Sequence, residues 1–167
     1  MPTPLETFES SLQDVESSVK HTTPQSLEAT LKTVIERPAV GVQLPFEECS
    51  LADLDVALDP TPRALQTAVC GITTAVLGIA TYGTLVLEAT PTGSELSSLF
   101  PDHHIAVLRA TDIVPDMETA FDRLSELVAA GRGDHVLATG PSATADMGSL
   151  VYGAHGPRTV TVVLVEE

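Results

Sequence analysis

HVLATGPSATADMGSLVYGAHGPR, residues 135–158, is the stretch whose reading decides the fold. It opens on a short apolar run, Val136-Leu137-Ala138, which ends at Thr139 and breaks at Gly140-Pro141. Small hydroxyl residues follow, Ser142 and Thr144, and then Asp146. A weakly apolar segment, residues 147–151, leads to a second break, Gly153-Ala154-His155-Gly156-Pro157-Arg158. The most strand-like run in the chain, TVTVVLV at 159–165, comes straight after. The pattern reads as a buried strand, a glycine–hydroxyl loop, a short helix or turn, a second glycine loop and another buried strand. In an open α/β sheet the loops at the carboxyl ends of strands carry the ligands. Backbone N–H groups freed by glycine-rich turns and helix starts suit anions. The same residues serve equally well as plain turns, with Ser142, Thr144 and Asp146 capping a helix.

Upstream, Leu5, Phe8, Leu12, Val15 and Val19 recur at helical steps. His21-Thr22-Thr23-Pro24 stops that helix and starts another, with Thr23 as N-cap and Leu27, Leu31, Val34 and Ile35 on one face. These two helices are expected to form an N-terminal helical cap, residues 1–37, packed as one compact unit on an α/β domain, residues 38–167. Within that domain the expected strands are 39–44, 70–75, 84–87 and 104–108, and the irregular segment 45–59 is acidic. Gly78 to Gly83 reads as a loop. The absence of a helical pattern between 84–87 and 104–108 favours antiparallel pairing of those two strands. A helix opens at Thr61-Pro62, and the best-patterned helix opens at Pro115-Asp116. The latter carries Met117, Ala120, Phe121, Leu124, Leu127 and Val128 on one stripe and ends at Gly131 and Gly133. Strands alternating with helices predict a three-layer α/β fold, with a largely parallel, mixed sheet and helices on both faces.

Eight basic residues face 23 acidic ones, a net charge of −15, and the acids are scattered rather than clustered. Scattered acid over an ordinary apolar core fits a surface built for concentrated salt, where the Debye length falls to about 3 Å. A halophilic source is the expectation; an ordinary acidic protein is the alternative. Nothing supplies the basic patch that a nucleic-acid backbone needs. There is no run of about 18 apolar residues to span a membrane. The opening MPTPLETFESSL lacks the plan of a signal peptide, so a cytoplasmic location is expected. Cys49 and Cys70 are the only cysteines, and their spacing matches no zinc or iron–sulfur site. No metal and no cofactor are expected.

Polar residues that core packing does not explain fall in three segments. They are GIATYGTLVL (78–87), SSLFPDHHIAVL (97–108) and TGPSATADMGSLVYGAHGPRTVTVVLVE (139–166). In that order they resemble the LUD domain family of lactate-utilisation proteins, and the last segment is similar to the signature of its protein C branch. The resemblance covers Cys70 to the C-terminus. It implies a fold like that of the ribose-phosphate isomerase and CoA-transferase superfamily. It also implies a part in oxidising L-lactate to pyruvate, as one subunit of a three-protein iron–sulfur system. The chain departs from the family where a Glu-Thr-Gly-Thr run is usual: it has Thr81-Tyr82-Gly83-Thr84. A carboxylate is lost there and a phenol gained. The cluster-binding cysteines of the larger family member are absent.

His155 and Asp146 are the candidate catalytic residues, as a proton donor or acceptor toward a 2-hydroxy acid. Arg158 could hold a carboxylate through its guanidinium fork, or pair with a surface acid. Gly140, Pro141, Ser142, Thr144 and Gly156 would line an anion site, His104 would join them, and Tyr82, Gly83 and Thr84 would close it from the other side. Neighbours on a strand point to opposite faces, so His103 and His104 should not share a ligand. The leading expectation is an accessory, non-redox subunit that works with iron–sulfur oxidoreductase subunits and binds a small organic acid. The rivals are a stand-alone enzyme acting on a phosphorylated or acyl substrate, and a scaffold or regulatory protein with a vestigial pocket. The charge reading has a direct check in thermal melts. Molar KCl should raise the melting temperature above that in dilute buffer, and equal melting temperatures would remove the halophilic expectation.

Overall fold

Alternation of apolar strands with one-sided helices favours a parallel sheet covered on both faces, because short crossovers bury each strand between helices. The computed structural model, which describes residues 1–146 and 148–167, has that arrangement. Along the chain lie α1 (Pro4–Asp14), β1 (Ser18–Thr22), α2 (Leu27–Val34), β2 (Ala39–Gly41), β3 (Val56–Leu58) and α3 (Pro62–Thr67). Then come β4 (Cys70–Ile79), β5 (Thr84–Glu88), α4 (Leu96–Leu99), β6 (His103–Arg109), β7 (Ile113–Val114) and α5 (Met117–Ala129). The last strands are β8 (His135–Thr139), β9 (Ala143–Thr144), β10 (Val151–Tyr152) and β11 (Thr159–Val165).

Six strands in the order β1-β11-β6-β4-β2-β3 are all parallel. On one face α2 sets Leu27 and Leu31 against Ile72, Ile105, Val107 and Val163. On the other, Phe8 and Leu12 of α1 meet Ala106, Leu108, Val162 and Leu164. β4 is long enough to serve two sheets. Its first half, Cys70 to Thr74, lies between β6 and β2; past an irregularity between Ala75 and Leu77 it pairs antiparallel with β5 and parallel with β7. β8 then adds antiparallel to β5. α5 covers this second sheet, with Ala120 and Leu124 packed on Leu77, Ile79 and Val86. The mixed, largely parallel α/β fold is therefore as the sequence implies. Among the described residues no helix is long and apolar enough to cross a membrane.

The differences from expectation have identifiable causes. The first helix stops at Asp14, not at Val19. Glu16 turns into the left-handed region at φ 58°, and Ser18 to Thr22 leave to pair with β11. The N-terminal segment thus contributes an edge strand as well as helices. Thr23 makes no side-chain cap, and a 3₁₀ turn, Pro24–Ser26, precedes α2. Gly78 is not in a loop but inside β4. A Cβ there would stand 2.7 Å from the Leu108 side chain and 3.0 Å from the Phe8 ring, so the glycine answers to close packing.

β5 does not pair with β6; it folds back on β4 as a hairpin, and β6 lies parallel to β4 after the short α4. The strand expected over 39–44 ends at Gly41, and the irregular segment after it includes β3. β8 is an edge strand with Leu137 exposed, not a buried one. Phe121 and Val128 of α5 face solvent as well, outside the stripe that packs. Of the short helix or turn expected between the two glycine loops, the structure has the turn, with the Gly148 N–H donating to the Ala145 carbonyl at 3.3 Å, flanked by the antiparallel pair β9–β10; residue 147 lies outside the described residues.

Candidate functional site

Two glycine loops are held together before any ligand is considered. Ser142 N–H donates to the Pro157 carbonyl at 2.8 Å, and Gly153 N–H donates to the Ser142 carbonyl at 2.8 Å. Gly140 has φ 65°, and a Cβ there would stand 2.7 Å from the Val15 carbonyl oxygen, so α1 and its C-terminal turn press on the loop. A cleft of about 190 Å³ opens beneath these loops. The β5–β8 ribbon supplies one wall, with Leu85 and Val136 to Thr139. His104 and Val160, at the amino ends of β6 and β11, supply the other, and Ser98 and Leu99 of α4 close an end.

This position corrects one expectation. The loops between Gly140 and Arg158 follow β8 and precede β11, so the cleft sits at the amino ends of the parallel strands. The carboxyl-end rule applies to a doubly wound parallel sheet, whereas this cleft is built by an antiparallel ribbon crossing the sheet's opposite end.

His104, 1 % exposed, is the most constrained polar group in the wall. Its Nε2 lies 2.8 Å from Thr73 Oγ1. Burial, with a smaller contribution from neighbouring His103, pushes its imidazole pKa down to about 4. It is a neutral hydrogen-bonding group at physiological pH. His103 points to the other face, with Nε2 2.8 Å from Thr161 Oγ1 and Nδ1 3.4 Å from the Glu36 carboxylate. The two adjacent histidines therefore serve different environments, as strand geometry requires.

Of the candidate residues, His104, Gly140, Pro141, Ser142, His155 and Gly156 line this one cleft. His155 is exposed at its mouth. Tyr82 and Thr84 line a neighbouring hollow of about 460 Å³, which shares Leu137 and Thr139 with the cleft. The hydroxyls of Thr84 and Thr139 stand 2.7 Å apart and tie the two together. Gly83 lies against the α1 backbone, where a Cβ would meet Ser11 and Leu12 at about 3.0 Å.

Thr144, Asp146 and Arg158 do not line the cleft. Thr144 Oγ1 accepts from the Asp146 N–H at 3.3 Å, a local turn, and Asp146 is exposed. Arg158 folds its side chain across Gly153, and its N–H donates to the Asp102 carbonyl at 2.7 Å. Sequence reasoning missed Thr73 and Val160, and singled out Ser98 only as part of the segment 97–108. Thr73 is a polar residue in an apolar run, but its pairing with His104 becomes visible only once β4 and β6 are known to be neighbours.

Among the described residues that line the cleft none carries a carboxylate, in a chain of net charge −15. Its polar groups are imidazoles, hydroxyls and backbone amides, a set that tolerates an anion. Cys49 and Cys70 are buried in the sheet core, and burial pushes the Cys70 thiol up to about 11, away from thiolate chemistry at neutral pH.

The LUD domain family model matches residues 43–165. The chain belongs to the LUD domain family. A "Lactate utilization protein C" of Macrococcus caseolyticus is 26% identical over 180 residues, spanning 98% of this chain and 78% of that protein. The protein of the same name from Bacillus subtilis is 34% identical over 121 residues, 69% of this chain and 49% of its own length. A crystal structure of a DUF162 family protein from Deinococcus radiodurans shares the fold. Its TM-score is 0.73 at 23% identity, over 97% of this chain and 96% of that one. The LUD match begins after α1, yet Val15 at the end of that helix buttresses Gly140, so residues outside the matched region shape the site.

The burial of His104 has a pH consequence. Its folded-state pKa lies below the unfolded value of about 6.5, so the unfolded chain binds the extra proton first. Stability contributed by the neutral ring is complete above pH 6.5 and should fall by about 3 kcal/mol as pH drops toward 4. Urea denaturation across that range should show the slope in the native chain and a flatter one in His104→Gln. Equal slopes would exclude a buried neutral His104.

Proposed function

We propose that the protein acts in lactate utilisation as a non-redox subunit, binding a small organic acid in the amino-edge cleft and assembling with iron–sulfur oxidoreductase subunits that oxidise L-lactate. The observation that carries this reading is the convergence of the three motif segments. His104 comes from the second, Gly140, Ser142, His155 and Gly156 from the third, and the first is tied on by the Thr84–Thr139 hydroxyl pair. Relatives named lactate utilization protein C supply the process. The cleft supports the class of ligand proposed: with about 190 Å³, no carboxylate among its described lining residues and an apolar wall at Leu85, Val136 and Val160, it suits a short carboxylic acid. On this reading His155, exposed at the mouth, exchanges a proton with a 2-hydroxy acid.

A stand-alone acid–base enzyme using His155 with Asp146 has less support, because Asp146 is exposed and not part of the lining. The cytoplasm is the compartment proposed for this work. Expression of a tagged chain in its host, purification in molar KCl and mass spectrometry of what accompanies it test the assembly. Iron–sulfur oxidoreductase subunits in stoichiometric amounts are the expected result. Recovery of the chain alone would overturn the subunit reading.

A further inference from the structure

The parallel sheet has a second end, and it too is open. β2 and β4 stay bonded through the Gly41–Ile72 register and the Val42 N–H donating to the Ile72 carbonyl at 3.0 Å. Beyond that point they separate. β2 turns off as Gln43-Leu44-Pro45, while β4 continues past its irregularity into the second sheet. The gap is a crevice of about 560 Å³ at the carboxyl ends of β2 and β6 and the middle of β4, where β4 leaves the parallel sheet; the carboxyl edge is where parallel α/β sheets hold ligands. No motif segment of the amino-edge cleft reaches it, and the two hollows share no lining residue.

Its composition is unlike the rest of the surface. Arg109, Arg123 and Arg132 line it, three of the eight basic residues in a chain with 23 acids. Arg109 is the last residue of β6. Its guanidinium lies 4.2 Å from the centre of the Phe46 ring, donates to the Pro45 carbonyl at 2.7 Å and has the Glu167 carboxylate at 3.6 Å, which together fix its direction. Arg132 is engaged through two nitrogens by the Glu88 carboxylate. Arg123, on α5, has a single weak partner, Glu126, at 3.5 Å and one turn away.

Donors exceed acceptors here. Three guanidinium groups carry about fifteen N–H donors, and hydrogen bonds within the protein use three of them. On the acceptor side, Arg132 already occupies both Glu88 oxygens. Burial raises the Asp112 carboxyl pKa against the opposing pull of Arg109 and Arg123, which both act on it. Glu126 is 70% exposed on the rim. Ala75, Val76, Leu77 and Leu127 give the crevice an apolar floor.

We infer that this carboxyl-edge crevice is a second ligand site, for a small organic oxyanion whose carboxylate or phosphate is received by the forks of Arg109 and Arg123 and whose carbon body lies on Leu77 and Leu127. Planar forks with free donors are suited to bidentate oxyanion recognition, and the fixed Arg109 reduces the cost of ordering it. The site is independent of the organic-acid cleft and does not rest on the assignment of that cleft.

The full chain, held at one KCl concentration so that chloride competes equally, is titrated with inorganic phosphate, phenyl phosphate and benzoate. Arginine Nε–Hε cross-peaks in nitrogen-15 NMR are the readout. Phenyl phosphate or benzoate should shift the Arg109 and Arg123 peaks saturably and bind several-fold tighter than inorganic phosphate. The tighter of the two names the headgroup. Arg123→Gln, at a side chain 60% exposed, should keep the fold and weaken binding about tenfold, the loss of one charge-assisted contact. Arg123→Lys should restore part of it, and His155→Ala should leave it unchanged. The proposal fails if none of the three probes shifts these peaks saturably. It fails equally if Arg123→Gln binds as the native chain does, or if His155→Ala abolishes binding.

Discussion

One strand that belongs to two sheets sets the rest of this structure. β4 must lie parallel to β6 and β2 over Cys70 to Thr74 and antiparallel to β5 over Ala75 to Ile79. The change of partner forces the β5–β8 ribbon across the amino ends of β6 and β11 and so makes the cleft beneath the glycine loops. The same departure of β4 from β2 makes the crevice at the other end. The double role requires close packing at the crossing. Gly78 supplies it, since any side chain there would strike Leu108 and Phe8.

Fold class was legible because its signals are local and repeated. Apolar β-branched runs such as 159–165 can hardly be anything but strands in a core, and α5 opens at Asp116, whose side chain accepts from the Thr119 N–H at 2.8 Å. Strand partners were not legible, because pairing is a long-range choice. The Val15 and Val19 spacing fits a helix, yet the free edge of β11 draws Ser18 to Thr22 into the sheet. Gly78 looked like punctuation because a glycine required by packing and a glycine required by a turn are the same letter. The antiparallel expectation for β5 with β6 failed for the same reason: α4, only four residues long, leaves almost no periodic trace.

The site divided along the same line. Residues marked by unusual composition, Gly140, Ser142, His155 and Gly156, do meet in one cleft, because the loops that carry them are bonded to one another. Charged residues were less reliable guides. Asp146 and Arg158 stand next to those loops in sequence but serve the surface, where an acidic chain has many such groups. Conversely the three arginines of the carboxyl edge come from β6, α5 and the turn before β8, with no common motif. Only the fold collects them. The electrostatic pattern that results is a strongly acidic surface with a carboxylate-free cleft at one end of the sheet and a donor-rich crevice at the other.

The central claim is that three separated segments form a single cleft for an organic acid at the amino edge of the sheet. Its most direct test is a titration of the isotopically labelled chain with L-lactate, followed by the NMR signals of the His104 and His155 rings and the Ser142 amide. Saturable shifts confined to these residues and their immediate neighbours are the predicted result. Unmoved signals at all three positions, at lactate concentrations that saturate an ordinary metabolite site, would contradict the account.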